Sequence, residues 1–225
     1  MRIDILTLFP GMFDGFITGS MVAKAVKQKV LDLRRVDIRH YAEGKHRQTD
    51  DYAYGGFAGM VLKPEPLYRT INHCLGCRPT PVIYFSPQGR RLDQQIIQGY
   101  SNCRHLILLC GHYKEIDQRI RDLCVSDEIS LGDYVLSGGE IAAMTVIDGI
   151  ARLLPGVLSD PESARSDSFN EPGLGFPCWT RPDEFMGQSV PPVLTSGNHT
   201  LVNEWIVQRS GRLTRTRRPD LDDSE

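Results

Sequence analysis

Residues 105–111 read HLILLCG. The run has no polar side to turn toward water. It reads as a strand buried on both faces, as in a parallel sheet covered by helices. The stretches around it support this. PVIYFS (81–86) is a short β-rich run ending in the turn PQGR, and LDQQIIQGY (92–100) has a helical period. Downstream, IDQRIRDLC (116–124) is an amphipathic helix and EISLGDYVLS (128–137) a further strand. GEIAAMTVIDGIARLL (139–154) is the longest of these helices. Alternating strands and helices predict an α/β fold with a parallel sheet. Nearer the start, RIDILTLF (2–9) and LDLRRVDIRHY (31–41) read as strands. SMVAKAVKQK (20–29) reads as a helix capped by Ser20, and another helix runs from Pro64 to about His73. HRQTDDYAYGGFAGM (46–60) is a polar, then Gly-rich loop.

The chain has 225 residues, a formal net charge of −2, 40% hydrophobic and 24% charged residues. That composition is ordinary for a globular protein, and whole-molecule charge names no partner. No apolar run is long enough for a membrane span. The N-terminus reads as a first strand rather than a signal peptide. The cysteines (74, 77, 103, 110, 124, 178) are irregularly spaced, which suits reduced thiols in the cytoplasm better than a disulfide framework. Cys74 and Cys77 form a lone CxxC. With no second pair it reads as a helix-end cysteine pair, and no metal ligand is assigned.

Composition shifts toward Pro and Gly after Pro155. This predicts an α/β domain over 1–159, a linker over 160–175 and a small helical domain over 176–225. Asn198 caps the helix HTLVNEWIVQRS, whose Leu201, Trp205 and Val202, Ile206 pairs make one apolar face. RSGRLTRTRR (209–218) then carries five Arg and no acid. Arg forks two donors onto phosphate, so the segment reads either as a phosphate contact or as a solvated charged tail.

In parallel α/β sheets, ligands sit at the carboxyl ends of the strands. Here those ends are SPQG (86–89), CGHY (110–113) and LGDYVLSGG (131–139). The chain lacks a G-x-x-x-x-G-K-[ST] motif, and no G-x-G-x-x-G joins a strand to a helix, so ATPase and dinucleotide readings lose support. Glycine-bearing strand ends among apolar residues suit a flat adenine with a small polar tail. Tight turns packed for their own sake are the alternative.

Several stretches together resemble the bacterial tRNA (guanine-37-N1)-methyltransferases of the SPOUT class. They are LFPGMF (8–13), HRQTDDYAYGG (46–56), SPQGRRLDQ (86–94), LLCGHYKEID (108–117), LGDYVLSGGE (131–140), RLLPGVL (152–158), DSF (167–169), TRP (180–182) and VPPVLTSGNH (190–199), in the family's order. The resemblance implies a trefoil-knotted α/β domain that binds S-adenosylmethionine. The donor pocket it implies is Ser86, Pro87, Gly111, Leu131, Gly132, Asp133, Tyr134, Val135 and Leu136, with Gly138 and Gly139 behind. It further implies a cytoplasmic homodimer, the tRNA anticodon stem-loop as partner, and magnesium as an assisting ion. This chain departs from the family pattern at Lys114 and Glu115, at Phe57 and Ala58, and at Ala142, Gly175 and Cys178.

Guanine N1 bears a proton at neutral pH, so its methylation needs a base, and charge then builds toward O6. By resemblance, Asp167 is the general base and Arg152 the stabilising cation. Read as residues alone, they are an Asp capping a turn and an exposed Arg. Two other functions stay open: a SPOUT enzyme acting at ribose 2′-oxygen, and an RNA-binding protein without catalysis.

Overall fold

The computed structural model describes residues 1–75, 79–160, 166–170 and 173–221. The chain divides into two compact units, Met1–Ser159 and Asp160–Glu225.

The first unit is built on a five-stranded sheet. Its strands are β1 (Arg2–Thr7), β2 (Asp32–Asp37), β5 (Val82–Arg91), β6 (His105–Leu109) and β8 (Asp127–Ser130), in the order β2-β1-β6-β5-β8. Every pairing is parallel. The central strand β6 alternates between two cores. Leu106 and Leu108 face one with Ile3, Ile5 and Ile83, and Ile107 and Leu109 face the other with Leu6, Val82 and Tyr84. This is why HLILLCG has no polar side. Asp4 breaks the pattern of β1 while fully buried, and Arg2 (2.6 Å) and His105 (2.8 Å) pair with it. Burying a carboxyl group is costly unless it has such partners.

Helices cover both faces. On one lie α2 (Ser20–Lys27), α4 (Gln94–Ser101) and α6 (Glu140–Leu153). Helix α6 buries Ala142, Ala143, Val146, Ile147, Ile150 and Ala151, a stripe at helical spacing. A Cβ on Gly149 would stand 3.0 Å from Ile97, so the glycine sets the close approach of α6 to α4. The other face carries α3 (Pro64–Cys74) and α5 (Gln118–Cys124), and a short α1 (Asp14–Thr18) precedes α2.

Several elements differ from the sequence expectation. PQGR is not a terminating turn, because β5 continues to Arg91 through a bulge that sets both Phe85 and Arg90 opposite Ile129. Pro87 lies within that bulge, where proline is tolerated. A Cβ on Gly89 would fall 2.5 Å from Ile129 N, so glycine is needed there. The strand expected over 128–137 ends at Ser130. Its hydroxyl bonds both the N–H (3.2 Å) and the carbonyl (3.1 Å) of Gly132, turning the chain out of the sheet. The loop 46–60 contains a hairpin of β3 (Asp50–Tyr52) and β4 (Met60–Leu62), and β7 (Glu115–Ile116) pairs parallel to β4. Helix α5 therefore starts after Ile116, with Asp117 accepting from Arg119 N at 2.9 Å. Ser20 is the first residue of α2, at φ 54°, and its side chain makes no capping bond.

In the second unit, β9 (Glu184–Phe185) and β10 (Gln188–Ser189) form a small antiparallel pair, followed by α7 (His199–Arg217). Asn198 caps α7 by accepting from Leu201 N at 3.3 Å. Leu201 is exposed, unlike the half-buried Val202, Trp205 and Ile206. The arginines of 209–217 therefore lie on a helix rather than in an irregular tail. Cys77 and the acids at 222, 223 and 225 lie outside the described residues.

Candidate functional site

The carboxyl ends of β5, β6 and β8 open into one pocket. It gathers Ser86 and Pro87 from β5, Gly111 after β6, and Leu131, Gly132, Tyr134, Val135, Leu136, Gly138 and Gly139 from the loop before α6. Asp133 is not among its lining residues. Phe85, Ile129 and Ala142 add apolar floor. On the lip, Tyr134, Val135 and Leu136 remain 56%, 84% and 40% exposed. Side chains of this kind gain by being covered with a flat apolar ligand.

The glycines are bare largely because other parts of the protein fill the space. A Cβ on Gly139 would stand 2.8 Å from Cys110 Cα, and Gly139 N donates to the Gly111 carbonyl at 2.9 Å. A Cβ on Gly138 would meet the Glu140 carboxylate and His112 Nδ1. At Gly111 it would meet the Tyr84 ring at 2.9 Å. The loop is thus stitched onto the end of β6, which fixes the pocket wall. Sequence alone suggests a ligand as the reason for the glycines, whereas internal packing supplies much of it.

A buried polar group beneath the loop is not apparent from the sequence. Glu140, 2% exposed, begins α6 and accepts from the Thr7 hydroxyl at 2.7 Å. Burial, and then Glu140, push the neighbouring Cys110 thiol well above its ordinary range, so it is an un-ionised packing group. His112 Nδ1 is buried with no hydrogen-bond partner among the described residues, and its ring packs on Phe9 with centroids 4.8 Å apart.

A charged network borders the pocket. The Tyr84 hydroxyl donates to Glu115, and burial followed by that bond pushes the phenol's pKa up. Arg121 donates to Glu128 at 2.5 Å and 2.9 Å, to Gln88 at 2.9 Å and to Glu115 at 3.4 Å. These bonds tie β5, β7, α5 and β8 together around the pocket. Cys74, half of the CxxC pair, is buried in the core, and burial above all pushes its thiol up to about 12. Among the described residues, no group of three or more His, Cys, Asp or Glu could hold a metal ion.

Arg152 is exposed in the last turn of α6, in the first unit. Asp167 belongs to the second unit and is exposed on a held turn. Phe169 N donates to the Gly173 carbonyl at 3.0 Å, and Gly175 N to Ser168 Oγ at 2.8 Å. Leu174 N in turn donates to Thr214 Oγ1 of α7 at 2.9 Å. Arg218 pairs with Asp220 at 2.6 Å and lies over the Phe169 ring, whereas Arg212, Arg215 and Arg217 are exposed.

The family model described as tRNA (Guanine-1)-methyltransferase TrmD matches residues 1–224 of this chain. The chain belongs to this family. Relatives named tRNA (guanine-N(1)-)-methyltransferase agree. That of Geobacillus kaustophilus is 48% identical over 222 residues, covering 98% of this chain and 91% of its own. That of Staphylococcus carnosus is 47% identical over 221 residues, covering 98% and 90%. That of Moorella thermoacetica is 48% identical over 225 residues, covering 98% and 90%. Among the described residues, no helix is long and apolar enough to cross a membrane.

Proposed function

We propose that this chain transfers the methyl group of S-adenosylmethionine to N1 of guanine in tRNA, at position 37 beside the anticodon. The observation that carries this reading is the family match along the whole chain, joined to a pocket in which three strand ends and a stitched glycine loop converge. The pocket suits the donor, with exposed apolar lip residues for adenine and, close behind the loop, a buried His112 Nδ1 that has no hydrogen-bond partner among the described residues. Bound there, the donor supplies an electrophilic methyl group on a sulfonium sulfur.

The remaining work falls to the protein. Leu131, Tyr134, Val135 and Leu136 hold the flat base, while the Gly138–Gly139 segment fixes the wall. Asp167 would take the guanine N1 proton as the N1 lone pair bonds the methyl carbon, the carbon–sulfur bond breaking with its electron pair left on the sulfur of S-adenosylhomocysteine. Arg152 stabilises the charge that builds on O6. The target base leaves its stack to reach the donor. Exposed Arg212, Arg215 and Arg217 hold RNA phosphates. In this reading residues 1–159 are a trefoil-knotted donor-binding domain, 160–175 a linker carrying Asp167, and 176–225 a tRNA-binding domain. The enzyme is a cytoplasmic homodimer that sets the pocket of one copy against the linker of the other. Magnesium has no three-ligand cluster among the described residues, and no step is assigned to it.

The test is methyl transfer from labelled donor to unmodified tRNA carrying G or A at position 37, with the product nucleoside mapped by mass spectrometry. N1-methylguanine formed only on the G37 substrate is the expected result. Label on a ribose oxygen, or tRNA binding without transfer, would reject the reading.

A further inference from the structure

The pocket holds an acid and a base next to each other in sequence, and only the acid is satisfied. Glu115 accepts from the Tyr84 hydroxyl and from Arg121 at 3.4 Å. Lys114 precedes it, in the bend that leads into β7. The acid turns toward Tyr84 and Arg121, while the lysine stem lies over Gly59, where an added Cβ would stand 3.2 Å from Lys114 Cβ. The Lys114 backbone is also fixed. Its N–H donates to the Met60 carbonyl at 3.0 Å, and Tyr113 before it sits in the left-handed region at φ 62°. Yet the Lys114 ammonium makes no hydrogen bond or ion pair among the described residues. A held backbone therefore presents an open cation on the pocket wall.

We propose that Lys114 pairs with the α-carboxylate of the methyl donor and sets the pocket's preference for a donor with an intact amino-acid tail. This rests on reading the pocket as the donor site. The argument is one of charge. The donor carries two positive groups, its sulfonium and its α-ammonium, and one negative group, its carboxylate. A free ammonium can attract only the last. Glu115 does not neutralise the lysine, because its carboxylate is already shared by Tyr84 and Arg121. An exposed RNA phosphate is the competing partner for Lys114, and the test separates the two.

Calorimetry on the full chain measures binding of S-adenosylhomocysteine, which keeps the tail, and of 5′-methylthioadenosine, which keeps the nucleoside and thioether but lacks it. Lys114→Gln should weaken S-adenosylhomocysteine by about tenfold, as expected for one charge-assisted hydrogen bond. It should leave 5′-methylthioadenosine within about twofold, and Lys114→Arg should restore most of the loss. Equal losses for both ligands would make the lysine structural and overturn the proposal. Unchanged S-adenosylhomocysteine with weakened tRNA binding would place Lys114 on phosphate and overturn it too. Val135→Asp, on the exposed lip, serves as the control. If it leaves both ligands binding as before, the pocket reading fails and takes this proposal with it. If it abolishes binding while Lys114→Gln changes nothing, only the proposal falls.

Discussion

Thr7 donates its hydroxyl to Glu140 across 2.7 Å, although 133 residues separate them in the chain. The bond joins the end of β1 to the start of α6 directly beneath the glycine loop. The same Thr7 oxygen accepts from Phe9 N at 2.9 Å, so one hydroxyl serves two elements. Removing it leaves a buried carboxylate short of a donor. Thr7→Val should lower stability by about 1–3 kcal/mol, the usual cost of an unsatisfied buried group. Urea denaturation with an unchanged slope measures this. A midpoint equal to wild type would mean that Glu140 is held by other groups.

Gly139→Val tests the stitched loop. Its Cβ would stand 2.8 Å from Cys110 Cα, a backbone atom that cannot swing aside. The substitution should therefore weaken donor binding and also cost stability, by about 1–3 kcal/mol for overpacking. Leu136→Asp, on the exposed lip, should weaken donor binding with little effect on the melting temperature. Calorimetry paired with thermal denaturation separates the two effects. Equal melting temperatures for both variants would contradict the packing argument at Gly139.

Sequence periodicity discloses the parts of the fold that repeat. HLILLCG alternates between two cores, and the α6 stripe follows helical spacing, so both are legible. PQGR is not, because Pro and Gly usually mark a turn, and only the pairing with Ile129 shows a bulge. Strands of three residues such as Asp50–Tyr52 are too short to display alternation. Leu131–Leu136 look β-rich, but the Ser130–Gly132 turn takes them out of the sheet. Most of the pocket residues are identifiable from family motifs. The Thr7–Glu140 bond and the Tyr84–Glu115–Arg121 network are not, since they depend on which strand ends meet.

RNA affinity should depend on salt through α7. Arg212, Arg215 and Arg217 are exposed, whereas Arg218 is occupied by Asp220 and Phe169. Replacing the first three with Ala should reduce the log–log salt slope by roughly one unit for each phosphate no longer neutralised. Arg218→Ala should leave the slope nearly unchanged. Binding titrations at several salt concentrations read this directly. A slope indifferent to the triple substitution would make these arginines a solvated helix face.

Asp167 offers the sharpest test of mechanism. It is exposed on a turn whose backbone is held by Gly173, Ser168 and, through Leu174, by Thr214 of α7. Asp167→Asn keeps the size of the side chain and should leave that turn in place, but the amide cannot accept the N1 proton. Single-turnover transfer should fall by about 10²–10⁴-fold, the usual contribution of a general base, with donor and tRNA affinities near wild type. Raising the pH should partly rescue the variant, because guanine N1 then ionises without help. Arg152→Ala should slow transfer with less rescue, since its role is to stabilise charge rather than to move a proton. Mixing Asp167→Asn chains with Leu136→Asp chains should restore transfer if the site forms between copies, because each heterodimer then keeps one intact pairing. No recovery from two inactive variants would place base and pocket on one chain. A near-normal rate for Asp167→Asn alone would remove Asp167 from the chemistry.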